Sequence, residues 1–491
     1  MKQKKILYVT SECTNFAYTG GLAEVAGSLP KAIVQSTKSY KIKVVMPLYK
    51  KIIETYGKKL KFVGEDKLVL AWRELYIGVF TIKLNGIEYY FVDNKYYFNR
   101  DALYGHYDDG ERFAFFSKSI FKVMEIIDYY PDIIHTNDWQ SALVNVYLDI
   151  SYKKQGLYTD IVSVFTIHNI EYQGIFDSYF LEDVIGIDKE YKSILEYNGL
   201  INLMKGAITC ANLVTTVSPR YSREISTAYY AHGLEHIIRM NKSKFMGILN
   251  GIDVESYNPL TDNNIYYNYD VNTLEEKLNN KLQMQKELGL EVNPDKCLMV
   301  VISRLASHKG IDILLESLKG FLDLGVQFVV LGTGETEYQN AFMKYNNERP
   351  TQVRAIISFN NVLARKLYSA ADLFMMPSKS EPCGLSQMIA SRYGAVPIVR
   401  ATGGLYDTIV DYTDNGNGFV FKDYTSSALY EKGKEAIELF NDKEKFTELV
   451  KKAMEKDFSW QASAVQYIDM YNNLIKKFNK KEPIKKTKPK K

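Results

Sequence analysis

The sequence has no run of about 18 apolar residues, the length that a membrane-spanning helix needs, so we expect no membrane span and no membrane partner. Its four cysteines lie far apart without a Cys-x-x-Cys pair, which argues against a disulfide framework and against a zinc site. The apolar stretch after the basic start is too short for a signal peptide and indicates a first strand. A reducing cytoplasm is therefore the expected location.

A basic surface interleaved with aromatic residues, which is typical of nucleic-acid binding, is also missing. The net charge is +4, but residues 476–491 hold nine lysines and one glutamate, so the other 475 residues carry −4. We expect no nucleic-acid partner and a disordered lysine-rich tail. The length of 491 residues, with 46% apolar content, suffices for two or three domains with sizeable cores.

Short apolar segments alternate with helical patterns, which is typical of doubly wound α/β domains. A polar stretch from Asn250 to about Asn293 separates two such series. We predict an N-terminal domain at 1–255, a C-terminal domain at 256–475 whose last helix could cross back, and the tail at 476–491. Strands are predicted at 6–9, 44–46, 89–92, 133–134, 162–165 and 213–217, then at 298–302, 327–331, 353–357, 373–376 and 396–399.

Two glycine loops read almost alike at opposite ends of the chain, Thr19 to Leu22 and Thr402 to Leu405. Each follows a predicted strand and opens into a helical pattern. Glycine there lets backbone N–H groups approach an anion at a helix N-terminus, although glycine between strand and helix is most often only turn chemistry. One loop in each half indicates two nucleotide-fold domains facing one cleft.

Polar residues that follow strands are the first candidates for a site, because ligands of open α/β sheets lie at the carboxyl ends of the strands. Arg304 and Lys309 could direct two cations at one diphosphate, or be ordinary surface cations. Glu381 could bind a sugar hydroxyl or complement a helix N-terminus. Asp138 and His168 follow neighbouring strands and are expected close together, although a solitary histidine after a strand is usually structural.

A metal signature of the Asp-x-Asp type is missing from the strand ends, and Asp108 with Asp109 precedes a helix, where capping explains it. We therefore expect no metal. The motifs resemble those of bacterial glycogen and starch synthases, retaining glycosyltransferases of the two-domain GT-B fold, over residues 5 to 475. The matching strings are 19–22, 108–113, 137–140, 166–169 with 172–174, 250–253, 303–305 with 309–310, 381–385, and 392–394 running into 402–405.

This resemblance implies two doubly wound Rossmann-like α/β domains around a central cleft. It also implies transfer of glucose from ADP-glucose to the non-reducing 4-hydroxyl of an α-1,4-glucan with retention, without a cofactor. The partners would be the nucleotide sugar and the glucan. The implied catalytic residues are Arg304, Lys309, Glu381, Asp138 and His168, the donor-binding residues are Tyr18, Gly20, Gly21, Glu24, Asn250, Phe359, Cys383, Gly384, Leu385 and Ser386, and Tyr104 would contact the sugar or glucan.

Three positions depart from the family pattern, and a fourth, Phe359, keeps the aromatic face. Tyr18 stands where the family commonly has lysine, Glu24 where it has aspartate, and Phe359 where it usually has a tyrosine that stacks on the nucleobase. Ile389 replaces a second glutamate of many GT-B enzymes, which this branch commonly lacks.

The Tyr18 change leaves two alternatives open: an active enzyme with altered donor choice, such as UDP-glucose, or a glucan-binding or regulatory homologue. A disaccharide-forming transferase is disfavoured by the strings 172–174 and 381–385, and a phosphorylase by the lack of a pyridoxal-phosphate lysine segment. The sequence leaves acceptor length, oligomeric state and regulation open.

Overall fold

The computed structural model describes residues 3–479, so most of the lysine-rich tail expected at 476–491 lies outside the described residues. The chain divides into two compact units. Unit 1 comprises the chain up to Val217, Ile225–Ile248 and the chain from Gln461, whereas unit 2 comprises Ser218–Glu224 and Leu249–Trp460. Between residues 3 and 479, no helix is both long and apolar enough to cross a membrane.

Unit 1 is built on a nine-stranded sheet with a small three-stranded sheet beside it. Buried apolar side chains fill the central strands, as expected for strands covered on both faces. The strands are β1 (Lys4–Val9), β2 (Tyr40–Pro47), β3 (Lys61–Leu70), β4 (Arg73–Leu84), β5 (Ile87–Asp93), β6 (Ile133–Asn137), β7 (Val162–Ile167), β8 (Ile175–Phe176), β9 (Glu196–Tyr197), β10 (Leu200–Asn202), β11 (Leu213–Thr216) and β12 (Phe245–Gly247).

The large sheet has the order β12-β11-β7-β6-β1-β2-β5-β4-β3 and is parallel except for the pairs β3–β4 and β4–β5. Its chain order reverses between β1 and β6, which pair in parallel from Ile6 with Ile133 to Val9 with Thr136. Ligands of open α/β sheets bind where the strand order reverses, at the carboxyl ends. In unit 1 that place is formed by the segments after Val9 and after Asn137.

Unit 2 is built on a six-stranded parallel sheet of order β15-β14-β13-β16-β17-β18, the arrangement of a dinucleotide-binding fold. Its strand order reverses between β13 and β16. The segments that follow these two strands begin with Ser303 and Pro377. The strands are β13 (Leu298–Ile302), β14 (Gln327–Leu331), β15 (Val353–Ile356), β16 (Leu373–Met376), β17 (Val396–Arg400) and β18 (Phe419–Phe421).

Helices connect the parallel strands in both units, so the predicted α/β fold class is confirmed. The helices are α1 (Gly21–Ser36), α2 (Lys50–Tyr56), α3 (Lys95–Phe98), α4 (Asp109–Ile126), α5 (Ala142–Tyr147), α6 (Phe180–Asp183), α7 (Lys192–Leu195), α8 (Leu203–Cys210), α9 (Pro219–Glu224), α10 (Glu235–Met240), α11 (Leu274–Leu288), α12 (Ile311–Asp323), α13 (Thr336–Glu348), α14 (Asn361–Ala370), α15 (Ser386–Arg392), α16 (Gly403–Thr408), α17 (Ser426–Asn441), α18 (Lys443–Glu455) and α19 (Trp460–Asn479).

The last helix, α19, contributes to unit 1 through a buried hydrogen-bond chain centred on His135 of β6. The ring nitrogens of His135 lie 2.6 Å from the Tyr471 hydroxyl and 2.6 Å from the Thr166 hydroxyl. Burial lowers the pKa of His135 to about 3, helped by the neighbouring His168. The imidazole is therefore neutral, and it joins α19 to two central strands.

The buried neutral His135 predicts a loss of stability in acid. Its folded pKa lies below the unfolded value, so its contribution is fully present above pH 6.5 and declines as the pH falls toward 3. We expect about 3 kcal/mol to be lost by pH 4 from this residue alone. Urea unfolding at pH 7 and pH 4 should show a smaller difference for His135→Gln than for the parent. The control His236→Gln, at an exposed position, should retain the full difference; an equal difference in all three proteins would contradict the assignment.

Candidate active site

The segment after β1 is organised by Glu12, a buried carboxylate at the reversal point of unit 1. Its Oε2 accepts hydrogen bonds from the backbone N–H groups of Thr19 at 2.6 Å and Gly20 at 3.3 Å. Its Oε1 accepts from the hydroxyls of Thr19 and Tyr104, both at 2.7 Å. Glu12 thus ties the N-terminal glycine loop to Tyr104, the aromatic residue expected to contact sugar. The sequence prediction did not include Glu12, although its place directly after the first strand was a usable signal.

The N-terminal glycine loop borders open space. A Cβ atom added to Gly20 or Gly21 would meet no atom within 4 Å, so packing does not demand glycine at either position. The Gly21 N–H donates to no group among the described residues. Tyr18 lies close to Glu24 and Glu12, and burial together with these two negative charges raises its pKa. The loop therefore leaves the Gly21 N–H and room for close approach of a ligand.

Asp138 and His168 come together at the ends of β6 and β7, as expected from the sequence. The backbone N–H of His168 donates to Asp138 Oδ1 at 2.7 Å. Asp138 has φ 53° and ψ −179°, a backbone conformation that is almost confined to glycine and costs on the order of 1–3 kcal/mol. Burial raises the pKa of Asp138 to about 7, against the effect of N–H donors from His168 and Asn169. The fold thus holds a residue with a strained backbone and a carboxyl of raised pKa at this reversal point.

In unit 2, Lys309 and Glu381 form an ion pair beside the end of β16. Lys309 Nζ lies 2.7 Å from Glu381 Oε2, which also accepts from the Ser378 hydroxyl at 3.1 Å. Gly310 makes this pairing possible: its φ is 74°, and a Cβ there would lie 2.1 Å from the Pro377 carbonyl oxygen. The glycine after the lysine therefore lets the segment after β13 lie directly on the segment after β16.

Arg304, by contrast, is exposed, and no carboxylate of the described residues lies within 4.0 Å of its guanidinium. A planar guanidinium can hold a phosphate through two parallel hydrogen bonds. The segment after β13 thus carries two cations: Arg304, which has no carboxylate partner among the described residues, and Lys309, which is ion-paired with the buried Glu381.

The C-terminal glycine loop serves packing. The Gly403 N–H donates to Glu224 Oε2 at 2.9 Å, so a carboxylate of the same unit already occupies this loop. A Cβ on Gly403 would lie 1.8 Å from the Glu381 carbonyl oxygen, and one on Gly404 would lie 2.1 Å from that of Cys383. These glycines bring α16 against the backbone that carries Glu381 and Cys383. The anion expected at this loop is therefore supplied by the protein itself.

Apart from Phe359, the remaining predicted donor-binding residues of unit 2 lie around Cys383. The Asn250 N–H donates to the Cys383 sulfur, and burial raises the pKa of this thiol to about 12, so it is not a nucleophile at neutral pH. Asn250 Oδ1 is buried without a hydrogen-bond partner among the described residues. Gly384 and Leu385 lead into α15, which begins at Ser386.

Phe359 lies in the segment before α14 with 73% of its surface exposed, which leaves its ring free to stack. Across residues 3–479, no group of three or more acidic, histidine or cysteine side chains is arranged to hold a metal ion.

Comparison with known proteins decides the family. The family models described as Starch synthase catalytic domain and Glycosyl transferases group 1 match residues 5–240 and 285–454. A glycogen synthase of Bacillus licheniformis is 44% identical over 478 residues, covering 96% of this chain and 98% of that protein. The chain belongs to the glycogen synthase family. Another member, from Exiguobacterium sibiricum, is 42% identical over 95% of this chain and 98% of its own length.

Solved structures agree with membership of the glycogen synthase family. The catalytic domain of starch synthase IV from Arabidopsis thaliana, bound to ADP and acarbose, is 32% identical with a TM-score of 0.88, covering 97% of this chain and 100% of that one. Sucrose-phosphate synthase from Thermosynechococcus elongatus, at 16% identity and a TM-score of 0.61, shares the fold. The protein is therefore a glycosyltransferase of GT-B type, and the resemblance stated from its motifs is confirmed.

One further carboxylate in this glycogen synthase family member escaped the sequence prediction. Glu224 ends α9, a short helix that belongs to unit 2 although the chain on both sides of it lies in unit 1. Its partners, Thr402 and Gly403, are about 180 residues away in sequence. No local pattern marks such a contact, so only the three-dimensional structure reveals it.

Proposed function

We propose that the enzyme transfers glucose from ADP-glucose to the non-reducing 4-hydroxyl of an α-1,4-glucan and retains the anomeric configuration. The observation that carries the proposal is that the unpaired Arg304 and the Lys309–Glu381 ion pair both lie on the segments that follow β13 and β16, at the reversal point of unit 2. The likeness to starch synthase IV bound to ADP and acarbose supports the nucleotide and the saccharide.

The two cations stabilise the leaving group. When the anomeric C–O bond breaks, both electrons of the bond stay on the diphosphate oxygen, and positive charge develops on the sugar ring. The planar guanidinium of Arg304 donates two parallel hydrogen bonds to phosphate oxygens, and the ammonium of Lys309 adds a second positive charge. Fixed charges aimed at a developing anion are among the largest contributions to catalysis.

The acceptor hydroxyl attacks from the face that the diphosphate leaves, which retains the configuration. Its proton passes to the departing diphosphate oxygen, so no protein base is needed. Glu381, ion-paired with Lys309, and Asp138, with a pKa of about 7, bind sugar hydroxyls and do not form a bond to the anomeric carbon. A slow fluorinated donor tests this assignment by mass spectrometry of the trapped protein, because a sugar adduct on either carboxylate would contradict it.

Other residues bind and orient the two substrates. In unit 1, Tyr104 and His168 contact the sugar. Gly20 and Gly21 have no side chain, so the donor can approach the backbone of the N-terminal glycine loop closely. In unit 2, the exposed ring of Phe359 stacks on the nucleobase. We also assign donor binding in unit 2 to Asn250, Cys383, Gly384, Leu385 and Ser386, with backbone and hydroxyl donors for phosphate from the last three.

A single assay tests the proposal. The purified protein is given ADP-glucose or UDP-glucose with glycogen, and nucleotide release and the anomeric linkage of the product are followed. We expect release that depends on glycogen, faster with ADP-glucose, and new α-1,4 linkages. Release without glycogen would indicate hydrolysis, faster release from UDP-glucose would overturn the donor assignment, and no release from either donor would favour a glucan-binding protein.

Tyr18 stands where the family commonly has lysine, so we expect Tyr18→Lys to bind the donor more tightly or to change its donor preference. In Tyr18→Lys the new ammonium would lie beside Glu24 and Glu12, at the open side of the glycine loop. We expect the KM for ADP-glucose to fall about tenfold, the scale of one charged hydrogen bond, or the preference between ADP- and UDP-glucose to shift. Tyr18→Phe is the matched control and should change neither. Unchanged affinity and selectivity in Tyr18→Lys would mean that position 18 lies outside the donor site.

A further inference from the structure

Asn137, the last residue of β6, makes a side-chain contact with His168 that the catalytic assignment does not use. Its Oδ1 lies 2.9 Å from His168 Nε2 and accepts a hydrogen bond from the Tyr8 hydroxyl at 3.0 Å. Asn137 is completely buried and Tyr8 almost so. Two donors, one on β1 and one directly after the end of β7, therefore converge on one amide oxygen.

The orientation of this amide is fixed by its other end. Asn137 Nδ2 donates to the Val9 carbonyl oxygen at 2.9 Å. A carbonyl oxygen can only accept, so the nitrogen of the amide must face Val9 and the oxygen must face His168. An amide oxygen cannot donate, and His168 Nε2 must therefore carry the hydrogen of their shared bond.

The His168 ring is neutral in this environment. Burial lowers the pKa of His168 to about 3. The groups that face it are the neutral His135 ring, the Tyr8 hydroxyl on Asn137, and Asp138, which takes the His168 backbone N–H. A neutral imidazole with hydrogen on Nε2 has a lone pair on Nδ1, and no group of the described residues bonds to Nδ1.

We propose that Asn137 is a positioning residue that holds His168 as the Nε2–H tautomer, so that Nδ1 accepts a hydrogen bond from a hydroxyl of the glucosyl substrate. The substrate part rests on the proposed function, whereas the tautomer is a property of the free protein. Asp138, bonded to the backbone of the same histidine, binds sugar hydroxyls in the proposed function. A sugar hydroxyl can donate a hydrogen bond as well as accept one. The lone pair on His168 Nδ1 can therefore bind a hydroxyl of the sugar as an acceptor.

Nitrogen NMR of the full chain, labelled with 15N-histidine, tests the tautomer without substrate. Six histidines give resolvable signals, and His168→Gln identifies the signal of interest by its loss. We expect Nδ1 to resonate as an unprotonated nitrogen and Nε2 as a protonated one, unchanged between pH 6 and pH 8. A protonated Nδ1 in the parent protein would overturn the proposal whatever reaction the enzyme catalyses.

Kinetics of Asn137→Asp test the substrate contact. The introduced carboxylate still accepts from Nε2, but its charge favours the imidazolium, in which Nδ1 is a donor and cannot accept. At pH 8 we expect kcat/KM of Asn137→Asp to be within about threefold of the parent value. The ratio of the variant value to the parent value should then fall at least tenfold between pH 8 and pH 6. Folding is checked by the thermal unfolding midpoint at both pH values.

The matched control is Tyr8→Phe, which removes the other donor to the same amide oxygen and leaves the histidine contact intact. Its kcat/KM relative to the parent should not vary with pH. A pH-independent ratio for Asn137→Asp, with the imidazolium visible by NMR at pH 6, would overturn the sugar contact. If the parent enzyme transferred no glucose at all, the proposed function would fail while the NMR result still decided the tautomer.

Discussion

Replacing Lys309 with alanine is expected to lower kcat/KM for glucosyl transfer about a hundredfold or more, the scale of removing one group that stabilises a developing anion. It should also destabilise the protein, because Glu381 would remain as a buried carboxylate without its cation. Breaking such a pair costs roughly 3 kcal/mol. Initial rates and urea unfolding of the same preparation measure both effects.

Two further variants separate catalysis from stability. Arg304→Ala should lose activity to a similar degree without destabilising the protein, because Arg304 is exposed and pairs with no described carboxylate. The double variant Lys309→Ala with Glu381→Gln should regain stability over Lys309→Ala while staying inactive. Near-normal turnover in Lys309→Ala and Arg304→Ala would contradict the leaving-group role of the two cations.

Substitution of Asp138 is expected to move activity and stability in different ways. Asp138→Ala and Asp138→Gly both lose the carboxyl, and loss of one charged hydrogen bond to substrate corresponds to roughly ten- to a hundredfold in kcat/KM. Only glycine relieves the backbone at φ 53° and ψ −179°. The free energy of unfolding should therefore be about 1–2 kcal/mol higher for Asp138→Gly than for Asp138→Ala.

The comparison between these two variants cancels the hydrogen bonds that both lose, including the one from the His168 N–H. Thermal or urea unfolding of each, alongside the parent, gives the difference directly. Equal stability of the alanine and glycine variants would show that the backbone of residue 138 is not strained. Full activity of Asp138→Gly would contradict the proposed role of the Asp138 carboxyl in substrate binding.

The central strands were predictable because they are short, apolar and buried. The predicted ranges 298–302, 327–331 and 373–376 coincide with β13, β14 and β16. The hairpin of β3 and β4 was missed, because β3 lies at the sheet edge with mostly exposed side chains and therefore has no apolar run. The two-residue and three-residue strands of the small sheet are too short to leave a pattern.

The candidate site was predictable where its residues directly follow buried strands, as Asp138, His168 and Arg304 do. In a parallel sheet, the segments that follow neighbouring strands meet at the same edge, so polar residues in those segments are expected to lie close together. The carboxylates that hold the glycine loops were not predictable in the same way. The only sequence signal for Glu12 is its place shortly after β1, and Glu224 reaches a loop about 180 residues away.

The two glycine loops would respond differently in a pooled mutational screen that measures protein abundance and turnover separately. Substitutions at Gly403 and Gly404 force a side chain into the backbone of the neighbouring segment, so such variants should vanish from the abundant fraction. Substitutions at Gly20 and Gly21 meet empty space and should remain abundant while turnover falls. The same Thr-Gly-Gly-Leu sequence thus lies against neighbouring backbone in one place, where no side chain fits, and borders open space in the other.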